Sequence, residues 1–190
     1  ARNLCVLQPL VAQASRASCD IRLWCLDEPP SELRRWTVGW GAGTRGLNYN
    51  RLAADVPRDN HLVLCDDDVR LPPGGLERWV RLSAALHFDI SQPGHGPGSF
   101  AAHDFVRRRR RVLARETTFV EMGPLILLSP DARSRVLPLP EQGFGWGLEL
   151  AWSDLRQQGV VLGVVDAVPM WHLTPPAAFY DRHVEEERQE

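Results

Sequence analysis

The chain has 190 residues, 44% of them hydrophobic and 24% charged, and its formal net charge at pH 7 is -2. This composition is typical of one globular domain that buries its own core, and it gives no overall electrostatic argument for binding nucleic acid or a membrane surface. All 22 basic residues are arginine, which excludes mechanisms that need a lysine, such as a Walker A phosphate loop or a Schiff base.

The four cysteines show no C-x-x-C pair and no zinc-finger spacing, so we expect reduced thiols and a cytoplasmic protein. No apolar run approaches the roughly 18 residues of a membrane-spanning helix. We therefore predict no membrane span and a single domain over residues 1–190.

Apolar periodicity and the positions of glycine and proline predict alternating strands and helices. The expected strands are residues 4–10, 20–26, 62–65, 88–92, 117–128 and 160–173. The expected helices are residues 11–18, 44–56, 75–86 and 148–158. Pro9 and Pro93 each end a strand in this scheme, and Glu121 lies inside one, where a charged side chain needs a partner. The alternation favours an α/β sandwich.

The stretch His61–Leu71 reads HLVLCDDDVRL, a short apolar strand followed directly by Asp66, Asp67 and Asp68. Adjacent carboxylates repel one another at the end of a buried strand, and oxygen ligands of this kind attract hard divalent cations. Ligand sites in open α/β sheets lie at the carboxyl ends of strands. The stretch therefore indicates a metal site, with an acidic turn as the simpler alternative.

Four further features have chemical interest. The glycine-rich residues 36–43 precede a helix that Thr44 would cap, and such a helix start favours anions such as phosphate. The run Arg107–Arg111 is either a solvated surface or a contact for an anionic substrate. Glu149 follows a stretch of glycine and aromatic residues, and His172 ends the last strand.

A transferase that uses a nucleotide-sugar needs an acidic strand end, an isolated glutamate and a late histidine together. The departing diphosphate is neutralised by a divalent ion held on carboxylates, and the acceptor hydroxyl loses its proton to a carboxylate base. A histidine ligand shifts the metal preference from Mg²⁺ towards Mn²⁺.

In these motifs the chain resembles GT-A glycosyltransferases. Its first half is similar to family 2 members in the order of Gly46–Asn50 (GLNYN) and the D-x-D strand. Its second half is similar to inverting enzymes with a GWG-x-E motif, such as the β-1,4-galactosyltransferases, at Gly145–Glu149. Residues 66–180 also resemble an uncharacterised plant and bacterial family, the "lysine-ketoglutarate reductase trans-splicing related" proteins. The shared segments are DDDV, ISQP, FVEMGP, GWGLEL and VVDAVPMWH.

The resemblance implies the GT-A fold, which is the nucleotide-diphospho-sugar transferase fold, a single Rossmann-like α/β/α sandwich with a mixed central sheet. Residues 1–70 would form its nucleotide-binding half and residues 71–180 its acceptor and catalytic half. Residues 181–190 would form a charged tail.

Carried over position by position, the resemblance also assigns roles to single residues. Those assigned to the chemistry are the metal ligands Asp66, Asp68 and His172 and the catalytic base Glu149. Those assigned to nucleotide-sugar binding are Asp27, Arg45, Asn50 and Asp67, and those assigned to the acceptor are Trp146 and Glu121.

Simpler explanations stay open for several of these residues. Glu149 also suits a helix N-terminus because the helix dipole favours an acid there. His172 would also suit a capped strand end, Arg45 the protein surface, and Glu121 a structural role. Asp67 should point away from its two neighbours if the strand geometry continues through it, because side chains alternate.

The predicted protein is an inverting glycosyltransferase that depends on Mn²⁺ or Mg²⁺ and moves a sugar from a nucleotide-sugar, expected to be a UDP-sugar, to a hydroxyl of a glycan or small-molecule acceptor. Leu150 stands where the galactosyltransferase motif continues with acids, which leaves the acceptor class open. One alternative is a non-catalytic GT-A protein that binds nucleotide-sugar or glycan. Another is a metal-dependent nucleotidyltransferase or phosphohydrolase, although residues 4–10 contain no basic phosphate loop.

Overall fold

The computed structural model of the protein describes residues 3–142 and 147–175, over which the chain forms five α-helices and eight β-strands. The helices are α1 (Leu4–Arg16), α2 (Arg45–Ala53), α3 (Gly75–Ala85), α4 (Pro130–Val136) and α5 (Leu148–Leu155). The strands are β1 (Leu23–Cys25), β2 (Thr37–Trp40), β3 (Leu62–Cys65), β4 (Val69–Arg70), β5 (Ile90–His95), β6 (Arg115–Glu116), β7 (Leu125–Leu128) and β8 (Leu162–His172).

The main sheet has the strand order β3-β7-β5-β8-β4, with β6 also paired to β8. Strand β7 is antiparallel to both β3 and β5, and β5 is parallel to β8. Strands β3, β5 and β8 therefore run in one direction, and their carboxyl ends lie at the same edge of the sheet. Strands β4 and β6 pair with β8 in the antiparallel sense, so the sheet is mixed. Strands β1 and β2 form a separate, parallel pair.

Strand β7 shows how the sheet is covered on both faces. Leu125 and Leu127 lie in a buried apolar cluster with side chains of α1 and α3. Ile126 and Leu128 lie in a second cluster with side chains of α2, α4 and α5. Because all four leucine and isoleucine side chains of β7 are buried, alternate residues of one strand supply both cores. The predicted α/β/α sandwich with a mixed central sheet is confirmed.

The expected strand at residues 4–10 is wrong, because these residues begin α1. Leu4, Leu7, Val11 and Ala14 recur at helical spacing on the inward side of α1, with Val11 buried. Pro9 is exposed and lies inside the helix, where it removes one backbone donor without ending the segment. The helical pattern continues through residues 11–16, and the long amphipathic period outweighs the local proline signal.

Strand β5 does not end at Pro93 as expected, but continues to His95. Strand β7 pairs only with Ile90 and Ser91, and beyond them this side of β5 makes one isolated bridge among the described residues, between His95 and Arg107. A register shift between Pro93 and Gly94 follows in the pairing with β8. Proline is tolerated in sheets at such edges and bulges, because no ladder donor is needed there.

The expected strand at residues 117–128 is also wrong in extent, since only Leu125–Leu128 is a strand. Gly123 and Pro124 interrupt the apolar run, and Glu121 lies in the irregular connection before them. Glu121 is nevertheless buried, and the partner that a buried charge needs is supplied by the backbone N–H of His103.

The other expected elements are confirmed within a few residues, and Thr44 caps α2 by accepting the backbone N–H of Leu47 at 3.3 Å. Strand β2 was missed within the glycine-rich segment 36–43. Trp146 and the tail 181–190 lie outside the described residues. Within the described ranges, no helix has the length and apolar character to cross a membrane. The division into nucleotide-binding and acceptor halves stays a prediction.

Candidate functional site

The three predicted metal ligands meet at the edge where β3 and β8 end. Asp66 and Asp68 follow β3 directly, and His172 is the last residue of β8. Strand β4 brings Asp68 close to His172. It pairs Val69 with His172, and the backbone N–H of Leu173 donates to the carbonyl oxygen of Asp68 at 3.1 Å. Antiparallel pairing thus fixes Asp68 beside His172 although 104 positions separate them along the chain.

The geometry of this cluster suits a metal ion. One ligand atom from each of Asp66, Asp68 and His172 lies within 4.8 Å of those from the other two. His172 Nε2 is 3.3 Å from Asp68 Oδ2. Asp68 Oδ1 is buried and has no hydrogen-bond partner among the described residues, which is costly unless a cation or water completes the site. Two carboxylates and an imidazole suit a divalent cation by donor type, and the choice of Mn²⁺ or Mg²⁺ stays a prediction.

His172 is oriented by its second ring nitrogen. Nδ1 lies 3.2 Å from the carbonyl oxygen of Phe100, which can only accept, so Nδ1 carries the proton in this contact. Nε2 is then the nitrogen that faces Asp68: it donates to the carboxylate when it carries a proton, and it is free to bind a metal ion when it does not. A hydrogen bond of this kind is the usual support for a metal-binding imidazole.

Asp68 is held in its charged form by its surroundings. Burial raises the pKa of Asp68, but the neighbouring side chains of His172 and Thr174 outweigh it and keep the pKa below the ordinary value. The carboxylate is therefore ionised at neutral pH and available as a ligand.

Asp66 is fixed by two residues of α2. Arg45 pairs with both carboxylate oxygens, with Nε 3.1 Å from Oδ1, and Tyr49 donates its hydroxyl to Oδ1 at 2.8 Å. Burial raises the pKa of Tyr49 to about 12, so its hydroxyl stays protonated and remains a donor. Arg45 and Tyr49 are one helical turn apart, which places both side chains on the face of α2 that meets Asp66.

Asp67 points away from the cluster, as predicted, although β3 ends at Cys65 and Asp67 lies in a turn, so the turn and not strand alternation sets its direction. It is exposed and accepts a hydrogen bond from Asn3 Nδ2 at 3.1 Å, whereas Asp68 is buried. Its role in nucleotide-sugar binding stays a prediction.

The fold has a counterpart among solved structures. The structure of the inositol-1-phosphate CTP transferase from T. maritima matches with a TM-score of 0.51 over 95% of this chain and 80% of that chain, at 10% sequence identity. At such low identity the likeness shows the fold alone, and it agrees with the predicted nucleotide-diphospho-sugar transferase class. No protein-family model and no curated protein matches the sequence. The finer resemblance to glycosyltransferase families therefore stays a prediction.

The segment Glu121–Pro124 connects the parts of the site. Met122 donates its backbone N–H to Glu149 Oε1 at 3.3 Å, and the carbonyl oxygen of Pro124 accepts the backbone N–H of Asp66 at 2.8 Å. A side chain at Gly123 would collide with the guanidinium of Arg45, so this glycine leaves the space that Arg45 occupies. We name this segment the connecting segment.

Glu121 begins the connecting segment and is buried rather than open to a ligand. Its Oε1 accepts the backbone N–H of His103 at 2.9 Å, and its backbone N–H donates to Gln92 Oε1 at 2.6 Å. Its Oε2 lies 3.1 Å from Nε2 of the buried His95. These contacts favour the structural role for Glu121, and acceptor binding stays a prediction.

Ser99 links this buried group to the metal cluster. Its Oγ lies 2.8 Å from His95 Nδ1 and accepts the backbone N–H of His172 at 2.9 Å. His95 and Ser99 are both buried, so the link is shielded from water. Sequence reasoning missed both residues as parts of the site, since they lie at a strand end and in a loop without periodic spacing. Tyr49 was also missed, although its position four residues after Arg45 on a predicted helix could have indicated it.

Glu149 lies in the first turn of α5 and both of its oxygens are bound by backbone donors. Oε1 accepts from Met122, and Oε2 accepts the N–H of Gly147 at 2.9 Å, the residue that precedes the helix. Glu149 therefore stabilises the start of α5, as its simpler explanation requires, while its half-exposed carboxylate keeps further lone pairs. Its role as catalytic base stays a prediction.

Asn50 and Asp27 lie apart from these contacts. Asn50 donates to the carbonyl oxygen of Leu139 and accepts its N–H, both at 2.8 Å, so its amide joins α2 to the segment before α5. Asp27 is exposed in the loop after β1. Nucleotide-sugar binding by either residue stays a prediction.

The arginine run is partly fixed by one buried carboxylate. Asp166 of β8 accepts the backbone N–H of Arg109 at 2.7 Å and the side chain of Arg115 at 3.0 Å. Arg108 donates its side chain to the carbonyl oxygen of Asp166 at 2.8 Å, and Arg107 pairs with Asp104. All five side chains of the run remain largely exposed, which agrees with a solvated surface.

Proposed function

We propose that the protein is an inverting, metal-dependent glycosyltransferase that moves a sugar from a nucleotide-sugar, in our proposal a UDP-sugar, to an acceptor hydroxyl. The observation that carries the proposal is the cluster of Asp66, Asp68 and His172 at the carboxyl ends of β3 and β8, with one buried carboxylate oxygen of Asp68 unpartnered among the described residues. The fold class supports a transferase that acts on nucleotides.

These three residues would hold Mn²⁺ or Mg²⁺. When bound there, the ion supplies Lewis-acid stabilisation of the negative charge that develops on the departing diphosphate. Arg45, which pairs with Asp66, would bind a second face of the same diphosphate, because a guanidinium matches phosphate oxygens in a bidentate manner. Asp27, Asn50 and Asp67 remain the proposed contacts of the nucleotide-sugar.

In this proposal Glu149 removes the proton of the acceptor hydroxyl. The acceptor oxygen then forms a bond to the anomeric carbon, the bond from that carbon to the diphosphate oxygen breaks, and the nucleoside diphosphate takes the electron pair. Glu149 and Asp66 bind Met122 and Pro124, which are two residues apart and so have Cα atoms at most about 7 Å apart. The backbone groups that bind Glu149 and Asp66 therefore belong to one short segment, which supports a base close to the metal cluster.

The test is a screen of nucleotide-sugars for release of UDP or GDP with Mn²⁺ present. Wild type should release one of them, and Glu149→Gln should lose at least about 100-fold of that activity, in line with the usual contribution of a general base. Glu77→Gln is the matched control, because Glu77 is an exposed acid in the first turn of another helix, α3. Release by Glu149→Gln at the wild-type rate would remove Glu149 as the base. Nucleotide binding without release by wild type would favour the non-catalytic alternative.

A second candidate is a nucleotidyltransferase, which the fold likeness to a CTP transferase favours. Its reaction would release pyrophosphate from a nucleoside triphosphate and a phosphorylated substrate, whereas the glycosyltransferase releases a nucleoside diphosphate. Assays of CTP and UTP with sugar and polyol phosphates, read by pyrophosphate, separate the two. The absence of lysine in the sequence leaves arginine alone to bind the triphosphate.

A further inference from the structure

Three aromatic side chains form an exposed surface beside the candidate site. The rings of His103 and Phe105 stack with centroids 5.2 Å apart, and the ring of Phe119 meets each of them edge-on at 4.9 Å. Phe105 is 42% exposed, His103 is exposed and Phe119 is half-buried. We name His103, Phe105 and Phe119 the aromatic platform.

The aromatic platform is fixed by hydrogen bonds rather than by burial. The backbone N–H of His103 donates to the buried carboxylate of Glu121 at 2.9 Å. Next to Phe119, the carbonyl oxygen of Thr118 accepts the hydroxyl of Ser153 in α5 at 2.6 Å. A cluster of exposed apolar side chains that is held in place in this way is a candidate binding surface.

The position of the aromatic platform relates it to both parts of the proposed reaction. Phe119 is three residues before Met122, which binds Glu149, so their Cα atoms are at most about 10 Å apart. Phe100 is three residues before His103, and its backbone N–H donates to the carbonyl oxygen of His172 at 3.1 Å. The aromatic platform therefore lies within a few residues of the candidate base on one side and of the metal cluster on the other.

We propose that the aromatic platform binds a sugar ring of a carbohydrate acceptor, an inference that rests on the proposed glycosyltransferase function and names its acceptor class. A pyranose has an apolar face of C–H groups and a rim of hydroxyls. The aromatic platform offers an apolar centre, and Asp104 and Arg107, which pair at 2.8 Å and are exposed, are within two residues of Phe105 along the chain and can hydrogen-bond hydroxyls. An aliphatic chain would need a deeper apolar groove and would leave these charged groups unused.

Binding is tested without donor or metal, by saturation-transfer NMR with methyl β-pyranosides of the gluco, galacto, manno, xylo and N-acetylglucosamine types and their β-linked disaccharides. At least one sugar should receive saturation on its ring C–H protons. Phe105→Ala should weaken its binding about tenfold, whereas Phe105→Trp should retain it, because an aromatic face is kept. The matched control is Trp40→Ala in β2, a 61% exposed aromatic residue outside the aromatic platform, which should bind the sugar as wild type does.

The inference is overturned if no sugar of the panel binds wild type, or if Phe105→Ala binds as tightly as wild type. Sedimentation tests whether a second copy of the chain covers these rings instead. A dimer that dissociates in Phe105→Ala would show this and would also overturn the inference. Sugar binding lost in Phe105→Ala, with no nucleotide release from any donor, would leave the aromatic platform standing and the proposed function wrong. Nucleotide release to water without sugar binding would support the proposed function and overturn the role of the aromatic platform.

Discussion

Asp66 donates its backbone N–H to the carbonyl oxygen of Pro124, with 2.8 Å between the two atoms. This bond ties the acidic end of β3 to the connecting segment, whose Met122 binds Glu149 and whose Gly123 leaves room for Arg45. A metal ligand and the candidate base are thus positioned by the same four residues. Changes in this segment should therefore affect both functions together.

The first prediction concerns the metal. Asp68→Asn should lower the affinity for Mn²⁺, measured without nucleotide, by at least about tenfold. An amide carries no negative charge, and even changes to residues that only support metal ligands lower metal affinity by roughly 10- to 100-fold. Isothermal titration calorimetry, or the electron paramagnetic resonance signal of free Mn²⁺, measures this affinity. Asp67→Asn, one residue away and exposed, should keep wild-type affinity for the metal. Equal affinity of Asp68→Asn and wild type would remove Asp68 from the site.

The second prediction concerns the packing of α2. Gly46→Ala should lower the free energy of unfolding by about 1–3 kcal/mol, since the added Cβ would collide with the carbonyl oxygen of Pro140. That oxygen belongs to backbone and cannot rotate away, unlike the flexible arginine beside Gly123. Urea unfolding at constant pH measures the change. A Gly46→Ala variant as stable as wild type would show that residues 139–140 move freely.

The third prediction separates two roles for Asn50. Asn50→Ala leaves the N–H and carbonyl of the buried Leu139 unpaired, so the free energy of unfolding should fall by about 2–3 kcal/mol. Asn48→Ala is the matched control in the same helix, where the side chain makes only longer contacts at the surface. A stable Asn50→Ala variant with weakened UDP-sugar binding would instead support the ligand role.

The fourth prediction concerns Ser99. Ser99→Ala removes the acceptor of the His172 backbone N–H and the partner of His95, so Mn²⁺ affinity should fall about tenfold. Ser134→Ala, which loses only a surface bond to the carbonyl of Asp131, should leave the affinity unchanged. If both variants bind Mn²⁺ equally well, Ser99 does not position the histidine.

The fifth prediction concerns acid stability in metal-free buffer. The folded-state pKa of Asp68 lies below its unfolded value of 3.8, so the native state holds the charged form more strongly. Its contribution to stability is complete above the unfolded pKa and is lost as the pH falls through the folded pKa. Unfolding free energies measured between about pH 6 and about pH 2.5 should decline less steeply below about pH 4 in Asp68→Asn than in wild type. Parallel curves would contradict the shift.

Local sequence was sufficient to predict the end of β3, which carries the site. The apolar run of β3 and the acids that follow it depend only on neighbouring residues, whereas the turn that directs Asp67 outward lies beyond the end of the strand. The capped start of α2 and the late strand ending at His172 are local in the same sense. The fold class followed from the alternation of elements and from motif resemblance, and the structure confirms it.

The tertiary structure alone decided what surrounds these residues. Leu4–Arg16 is a helix whose inward face packs against α3. The short apolar run around Pro9 does not show that contact. The bonds of Asp66 to Pro124, of His172 to Ser99 and of Asn50 to Leu139 join segments far apart in sequence. Such partners are backbone and hydroxyl groups of irregular segments, which carry no periodic signal, so only the folded chain shows which of them meet.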